Sequence, residues 1–195
     1  MSMRTATSQK SEHTMSNDSR WWDHLPVGAE SIVKQICAER VLVDLLNDHL
    51  AALKPFEKKI SPNSVRSFQP VSKLLYTYPG LCHSVYTFHW ENGGERNLSV
   101  LSMLCCIQAP LELIQHVHSC NPRAIQVAEP QKGCLPFHYA CTFQASLTVI
   151  EFLFQQYPKA IQIPRADGMM ALNLAVYFQA PNELSNGSSK HGRAP

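Results

Sequence analysis

Apolar residues recur along this chain at helical steps, in blocks that end at proline. Ile32, Ile36, Val43, Leu46, Leu50 and Leu53 fall at three-, four- or seven-residue steps and predict a helix over 29–53, stopped by Pro55. Val41, Leu42 and Leu45 widen the stripe, so this helix should be covered on more than one side. A coiled-coil seam would span too few heptads. Three later blocks share one plan. Phe68, Val71, Leu74 and Leu75 precede Tyr78-Pro79, and Leu147, Ile150, Leu153 and Phe154 precede Tyr157-Pro158 at matching steps, with Val149, Ile150, Leu153 and Phe154 on one face; Leu113, Ile114 and Val117 precede Asn121-Pro122. The residue before proline resists helical geometry, so each pair marks a helix end.

The blocks are copies. Pro122-Arg123-Ala124-Ile125-Gln126-Val127 returns as Pro158-Lys159-Ala160-Ile161-Gln162-Ile163. Gln108-Ala109 returns as Gln144-Ala145 and Gln179-Ala180, and Gly133 returns as Gly168. The period of about 35 residues is that of stacked helical repeats. A worn copy begins near Ser61. Between it and the clear copies, Gly80 to Asn97 forms a longer linker. Asn92-Gly93-Gly94 lies there among Val85, Phe88 and Trp90 and predicts a short extended hairpin.

In the central copy a turn at Gly133 leads into an inner helix that starts at Pro136, where a missing N–H costs nothing. Ala140 is small enough to admit a close neighbour. Gln144-Ala145-Ser146 breaks the chain, and Ser146 can cap an outer helix from Leu147 to Gln156. Pro110 takes the first-turn position in the preceding copy. One such hairpin cannot bury its apolar face alone, whereas stacking supplies the missing surface.

The segment Gly133-Cys134-Leu135-Pro136-Phe137-His138-Tyr139-Ala140-Cys141 resembles the ankyrin signature of glycine followed by Thr-Pro-Leu-His-x-Ala-Ala, with Pro136, His138 and Ala140 matching. Gly168-Met169-Met170-Ala171-Leu172-Asn173-Leu174-Ala175 matches more weakly, with Ala171 for proline and Asn173 for histidine. The long unit, closed by Tyr-Pro-Lys-Ala, is similar to the ankyrin-like repeats abundant in diatoms and related algae. The likeness covers 98–180 and reaches back toward 61. It implies a scaffold of antiparallel helix pairs joined by protruding turns, without catalytic residues. It also implies partner contacts at the turn tips and exposed inner-helix positions: Gln131, Lys132, Cys134 and Thr142, then Asp167, Met169 and Tyr177. Comparing copies, position 143 stays apolar (Ile107, Phe178) and reads as core. Position 142 varies (Cys106, Tyr177) and reads as surface. By the same resemblance, His138 hydrogen-bonds backbone in the turn region rather than acting in catalysis.

Composition changes this picture little. A hydrophobic fraction of 45% suits a packed protein, and a net charge of +2 is too small to drive nucleic-acid or membrane association. Lys54, Lys58, Lys59, Arg66 and Lys73 form the one basic stretch and read as a solvated face, with nothing interleaved to suggest phosphate binding. No apolar run approaches the roughly 18–20 residues of a membrane span. Residues 1–20 are polar, lack the apolar segment of a secretory signal and read as disordered. Glu12 and Asp18 argue against a transit peptide. Trp21-Trp22 marks either the point where the tail docks or a linear motif for another protein's groove. The seven cysteines follow no even framework and read as free thiols in a cytoplasmic or nuclear protein.

Chemical motifs are missing. His116 and His118 are two apart on a helix and point apart, so with Cys105, Cys106 and Cys120 they make no metal site. There is no phosphate loop, dinucleotide fingerprint, nucleophile elbow or close carboxylate pair. The expectation is therefore an all-α fold, a short solenoid of stacked helix-turn-helix (ankyrin-like) repeats. Residues 1–28 form a disordered tail, 29–97 a helical region with the degenerate repeat and long linker, 98–184 the repeats and 185–195 an irregular, flexible tail. The expected function is a non-enzymatic protein-interaction scaffold. It needs no cofactor, metal, nucleic acid, membrane or small-molecule substrate, and its protein partner is not named by the sequence. The alternative is a small regulatory subunit that binds through the N-terminal helix and Trp21-Trp22, with the repeats as support. In the third copy Ser185 and Ser188 replace the apolar residues of the outer helix. The last inner helix, with Leu172, Leu174 and Phe178, is then expected half-covered, its edge docked on a partner or left by a shortened array.

Overall fold

The structure, a computed structural model, describes residues 29–52, 67–89 and 94–179. The chain divides into two compact units, 1–36 and 37–195. Helix α1 (Ala29–Ala52) begins in the first, where Ile32 and Ile36 are exposed. In the second unit its buried residues are Ala38, Leu42, Leu46 and Leu50, spaced by four, while Val41 is exposed. Of the expected stripe, Leu46 and Leu50 are buried, with Leu42 beside them, while Val43 is half-buried and Ile32 and Ile36 are exposed. Within the second unit the four-residue steps from Ala38 through Leu42, Leu46 and Leu50 keep to one face, and Val41 falls outside it. Leu53 and Pro55 lie outside the described residues, as do Trp21-Trp22, the two tails and most of the basic stretch.

Past α1 the worn copy contributes α2 (Gln69–Thr77), followed by a tight 3-10 turn, Pro79–His83. The next copy contributes α3 (Val100–Cys106), α4 (Leu111–Cys120) and a 3-10 turn at Pro122–Gln126. The central copy contributes α5 (Pro136–Thr142), α6 (Leu147–Gln156) and a turn at Pro158–Gln162. The last described helix is α7 (Ala171–Gln179).

Three pre-proline residues end the outer helices in the same way. Tyr78, Asn121 and Tyr157 have φ/ψ of −127°/75°, −137°/79° and −144°/77°. Each N–H still reaches back to the helix, to Leu74, Val117 and Leu153 at 2.9, 3.0 and 3.0 Å. The turn then closes on a small or aliphatic residue that is buried: Leu81, Ala124 or Ala160. The Pro-x-Ala-Ile-Gln repeat is therefore a turn that stops the outer helix and plugs the core with its third residue.

The inner helices end in a second shared device. Gln108 and Gln144 adopt left-handed φ of 56° and 55°. Ala109 N–H bonds Leu104 O at 3.0 Å and Ala145 N–H bonds Ala140 O at 2.9 Å, the six-residue closure of a Schellman cap. Asparagine or glycine is the usual occupant there. Glutamine is kept by a further bond: the Gln144 side-chain amide donates to Phe178 O at 2.8 Å, and the Gln108 amide donates to Phe143 O. Each glutamine caps its own helix and grips the end of the next inner helix.

Packing follows these ties. Helix α5 lies between α3 and α7, and α4 lies between α2 and α6. Ala140, where α5 meets its neighbours, is fully buried. The all-helical expectation needs one correction: the long linker contains a two-stranded antiparallel sheet, β1 (Val85–His89) with β2 (Glu95–Ser99). Its register pairs Phe88 with Arg96 and Tyr86 with Leu98 on one face; on the other, Thr87 Oγ1 donates to Asn97 Oδ1 at 2.8 Å. Strand β2 runs directly into α3, whose first turn is capped by Ser99 Oγ accepting from Ser102 N–H at 3.2 Å. Ser146 does not act as expected. It occupies the N-cap of α6, but its hydroxyl pairs with Thr148 Oγ1 at 3.0 Å instead of a backbone N–H. Phe154, expected on the apolar face, is exposed, because α6 buries only Val149 and Leu153 fully.

Candidate protein-interaction surface

Two turns project between the helix pairs. The first opens at Glu129 and closes through Glu129 N–H to Cys134 O at 3.0 Å and Gly133 N–H to Glu129 O at 3.0 Å. The second opens at Arg165 and closes through Arg165 N–H to Met169 O at 3.1 Å and Gly168 N–H to Arg165 O at 2.8 Å. Gly133 and Gly168 hold left-handed φ of 65° and 80°, which glycine adopts without steric cost. The turns touch: Ala166 N–H donates to Lys132 O at 2.8 Å, and a Cβ on Gly133 would sit 3.5 Å from Ala166 N.

Each turn is braced by its own carboxylate. Glu129 is buried, and its oxygens accept from Gln131 N–H at 2.8 Å and Lys132 N–H at 2.6 Å, with Arg96 Nη1 of β2 at 3.7 Å. Asp167 stays at the surface, accepts from Met169 N–H at 3.1 Å and pairs with the Arg165 guanidinium, whose Nε donates at 2.6 Å. That bond to Arg165 holds the Asp167 carboxyl down at about 2. The two turns thus use opposite charges at their opening residue, Glu129 and Arg165, for the same job of fixing the tip. These residues and Arg96 were missed in the sequence. The signal was available, since Glu129 and Arg165 occupy equivalent places after the Pro-x-Ala-Ile-Gln segment.

His138 ties the start of the central copy to its end. Its Nδ1 accepts from Leu135 N–H at 3.0 Å, so Nε2 carries the proton and donates to Ile163 O at 3.0 Å. Burial lowers its pKa below the ordinary 6.5. A neutral ring with both nitrogens engaged is a structural brace, which accords with the role the sequence likeness implied. Beside it, the Tyr139 hydroxyl is buried without a hydrogen-bond partner.

The expected contact residues divide. Gln131, Lys132 and Asp167 are exposed at the turn tips, and Tyr177 is exposed on α7. Thr142 and Met169 are half-buried, and Thr142 Oγ1 donates to His138 O at 2.8 Å. Cys134 is a correction: only 3% of it is exposed. Its carbonyl closes the turn, which places residue 134 at the base rather than the tip. There burial pushes the thiol pKa up, and the Arg165 guanidinium lies against it. The comparison of positions 142 and 143 also needs amending. Cys106 is buried, as is every residue of α3, which packs against α5 and α4, while Ile107 is buried and Phe143 and Phe178 are half-buried.

Among the described residues no group of three His, Cys, Asp or Glu side chains is placed to hold a metal ion, and no described helix is long and apolar enough to cross a membrane. An open cleft of about 350 Å³ lies between α2 and the start of α4, lined by Phe68, Ser72, Tyr76, Pro110 and Glu112 among others, with no cluster of catalytic groups in it. No protein-family model matches this chain, and no curated protein or solved structure does.

Proposed function

We propose that this chain is a non-enzymatic protein-interaction scaffold built from ankyrin-like repeats in a short solenoid, working in the cytoplasm or nucleus without a cofactor. The observation that carries the reading is the pair of braced turns. Their backbone polar groups are spent on internal bonds, while Gln131, Lys132 and Asp167 project from adjacent tips. Side chains held on a rigid row lose little freedom when a partner docks, and such preorganisation favours binding. The recurrent ties from Gln108 and Gln144 into the following unit support the repeat reading, because each copy repeats a bond to its neighbour rather than to itself.

The test is quantitative capture from native lysate by wild-type protein and by the double variant Gln131→Ala, Lys132→Glu. Neither side chain braces its turn, so the variant keeps the wild-type melting temperature. Proteins retained by the wild type and lost by the folded variant support the scaffold reading. An unchanged captured set overturns the turn tips as the contact surface.

A second reading, the small regulatory subunit that binds through α1 and Trp21-Trp22, is favoured by one observation. Ile32 and Ile36 expose large aliphatic side chains on neighbouring turns of one helix. Ile32→Glu together with Ile36→Glu separates the two: it abolishes capture under the second reading and leaves capture intact under the first.

A further inference from the structure

One end of the stack is apolar and open. Leu172, Val176 and Tyr177 of α7 are exposed, and so are Leu147 and Phe154 of α6, seven residues apart and therefore on one stripe. Earlier copies cover the equivalent positions. Phe137 and Cys141 of α5 are buried, as are Leu101 and Cys105 of α3, while Leu111 and His118 of α4 are half-buried. A following helix accounts for the difference. Helix α5 packs on α3, α7 on α5 and α6 on α4, where the His118 and Phe152 rings meet edge-on with centroids 5.5 Å apart. The exposed residues are thus the near half of a joint whose far half no described residue supplies. Residues 180–195 hold little to supply it: Leu184 is their one large apolar side chain, and Ser185 and Ser188 stand where Ile114 and Val117 stand two copies earlier.

We propose that this edge binds the same edge of a second copy of the chain, with α7 packed antiparallel on α7 across a two-fold axis. Two observations choose that occupant. The first is continuity with the joints already made. Inner helix packs on inner helix at both of them, α3 with α5 and α5 with α7, so the shape the edge is built to take is another inner helix. A second α7 is one. The second observation is charge. A two-fold contact sets a surface against itself, so a charge near the axis would meet its own like. Among the described helices that expose large apolar residues, α1, α2 and α6 carry charged side chains and α7 carries none. Glu151, the one charged residue of α6, lies off the axis that runs through α7. In the antiparallel register Leu172 of one copy meets Val176 of the other, and the same pair recurs across the axis. The two residues are four apart, which is the ridge spacing of packed helices. A contact centred on one helix is narrow, so dilution reverses it. It is independent of the turn tips.

The test is sedimentation velocity of the full-length chain, under reducing conditions, from low to high micromolar concentration. The wild type is expected to pass from monomer to dimer mass as concentration rises. Leu172→Lys and Val176→Glu are each expected to stay monomeric over the same range while keeping the parent's circular dichroism spectrum, because both positions face solvent in the single chain. Mixed in equal amounts, the two variants are expected to recover the dimer mass, since the new ammonium of one then meets the new carboxylate of the other. Val41→Glu makes the same change at an exposed apolar residue of α1 and is expected to associate as the wild type does. The proposal is overturned if the wild type stays monomeric, which leaves the edge to a different protein, or if it assembles beyond a dimer. It is equally overturned if Val41→Glu abolishes association, or if the mixture of the two α7 variants stays monomeric.

Discussion

The central inner helix α5 and the last one, α7, share a register but not an environment. Phe137 of α5 is 3% exposed, and its equivalent Leu172 is 53% exposed. Cys141 is 3% exposed, and its equivalent Val176 is 70% exposed. At the deeper positions the two helices agree: Tyr139 and Leu174 are both buried. One side of each helix therefore meets the same core, and the other differs by what stands beyond it. Helix α5 has α7 there. A repeated sequence fixes the face a helix offers, while coverage of that face is a property of the neighbour. A leucine and a valine in the repeat pattern are thus no evidence of burial by themselves.

Truncating the equivalent pair gives the largest expected contrast. Phe137→Ala empties a site closed on all sides and is expected to cost about 3–5 kcal/mol. Leu172→Ala removes a side chain that already faces solvent and is expected to stay within about 0.5 kcal/mol. Urea unfolding of both variants checks this. Equal costs would break the comparison, by showing that α7 is covered as α5 is.

The next contrast concerns the polar bond at the same turn. His138 of α5 bridges Leu135 N–H and Ile163 O; its equivalent in α7 is Asn173, which is exposed. His138→Ala leaves a buried donor and acceptor unpaired, each costing about 1–3 kcal/mol. Asn173→Ala should fall within about 0.5 kcal/mol. The histidine also sets a pH dependence. Its folded pKa is depressed below 6.5 by burial, so below that pH the unfolded chain binds the proton first. Its contribution is complete above pH 6.5 and declines as pH falls from there toward the folded value. Stability followed across this window is expected to fall in the wild type and to lose that component in His138→Gln. An unchanged slope would remove His138 as its source.

What the sequence made legible was whatever depends on local backbone chemistry. Tyr78, Asn121 and Tyr157 were readable as helix ends because the following proline restricts them wherever they sit. The repeated Gln-Ala pairs were readable as register marks for a similar reason: each sits where the chain must reverse. Less legible were side-chain destinations set by distant neighbours. Glu129 looks like a surface carboxylate beside Pro130, yet turn closure folds it inward onto two backbone N–H groups. Cys134 looked like a tip residue for the converse reason. In α1 the burial of Leu46 and Leu50 followed from the stripe, whereas the exposure of Val41, equally apolar, depends on what covers the helix and has no local signal. The hairpin was foreshadowed by Asn92-Gly93-Gly94, but its strand register depends on pairing Phe88 with Arg96, which no local rule fixes.

The smallest contrast lies at the caps, and it separates two reasons for keeping glutamine in a left-handed site. Gln144 suffers the conformational cost of φ 55° and gains a bond from its amide to Phe178 O in α7. Gln144→Gly relieves the first and forfeits the second; Gln144→Ala forfeits the bond and keeps the cost. If the link between units decides, both variants lose stability, by about 0.5–1.5 kcal/mol for the bond, with alanine worse than glycine. If local geometry decides, glycine stabilises by roughly 0.5–1 kcal/mol instead. Gln108 offers an internal control, since its amide reaches Phe143 O between two units whose inner helices are both covered. The sign of the Gln144→Gly change, read from equilibrium denaturation, decides whether the glutamines act mainly between units or within them.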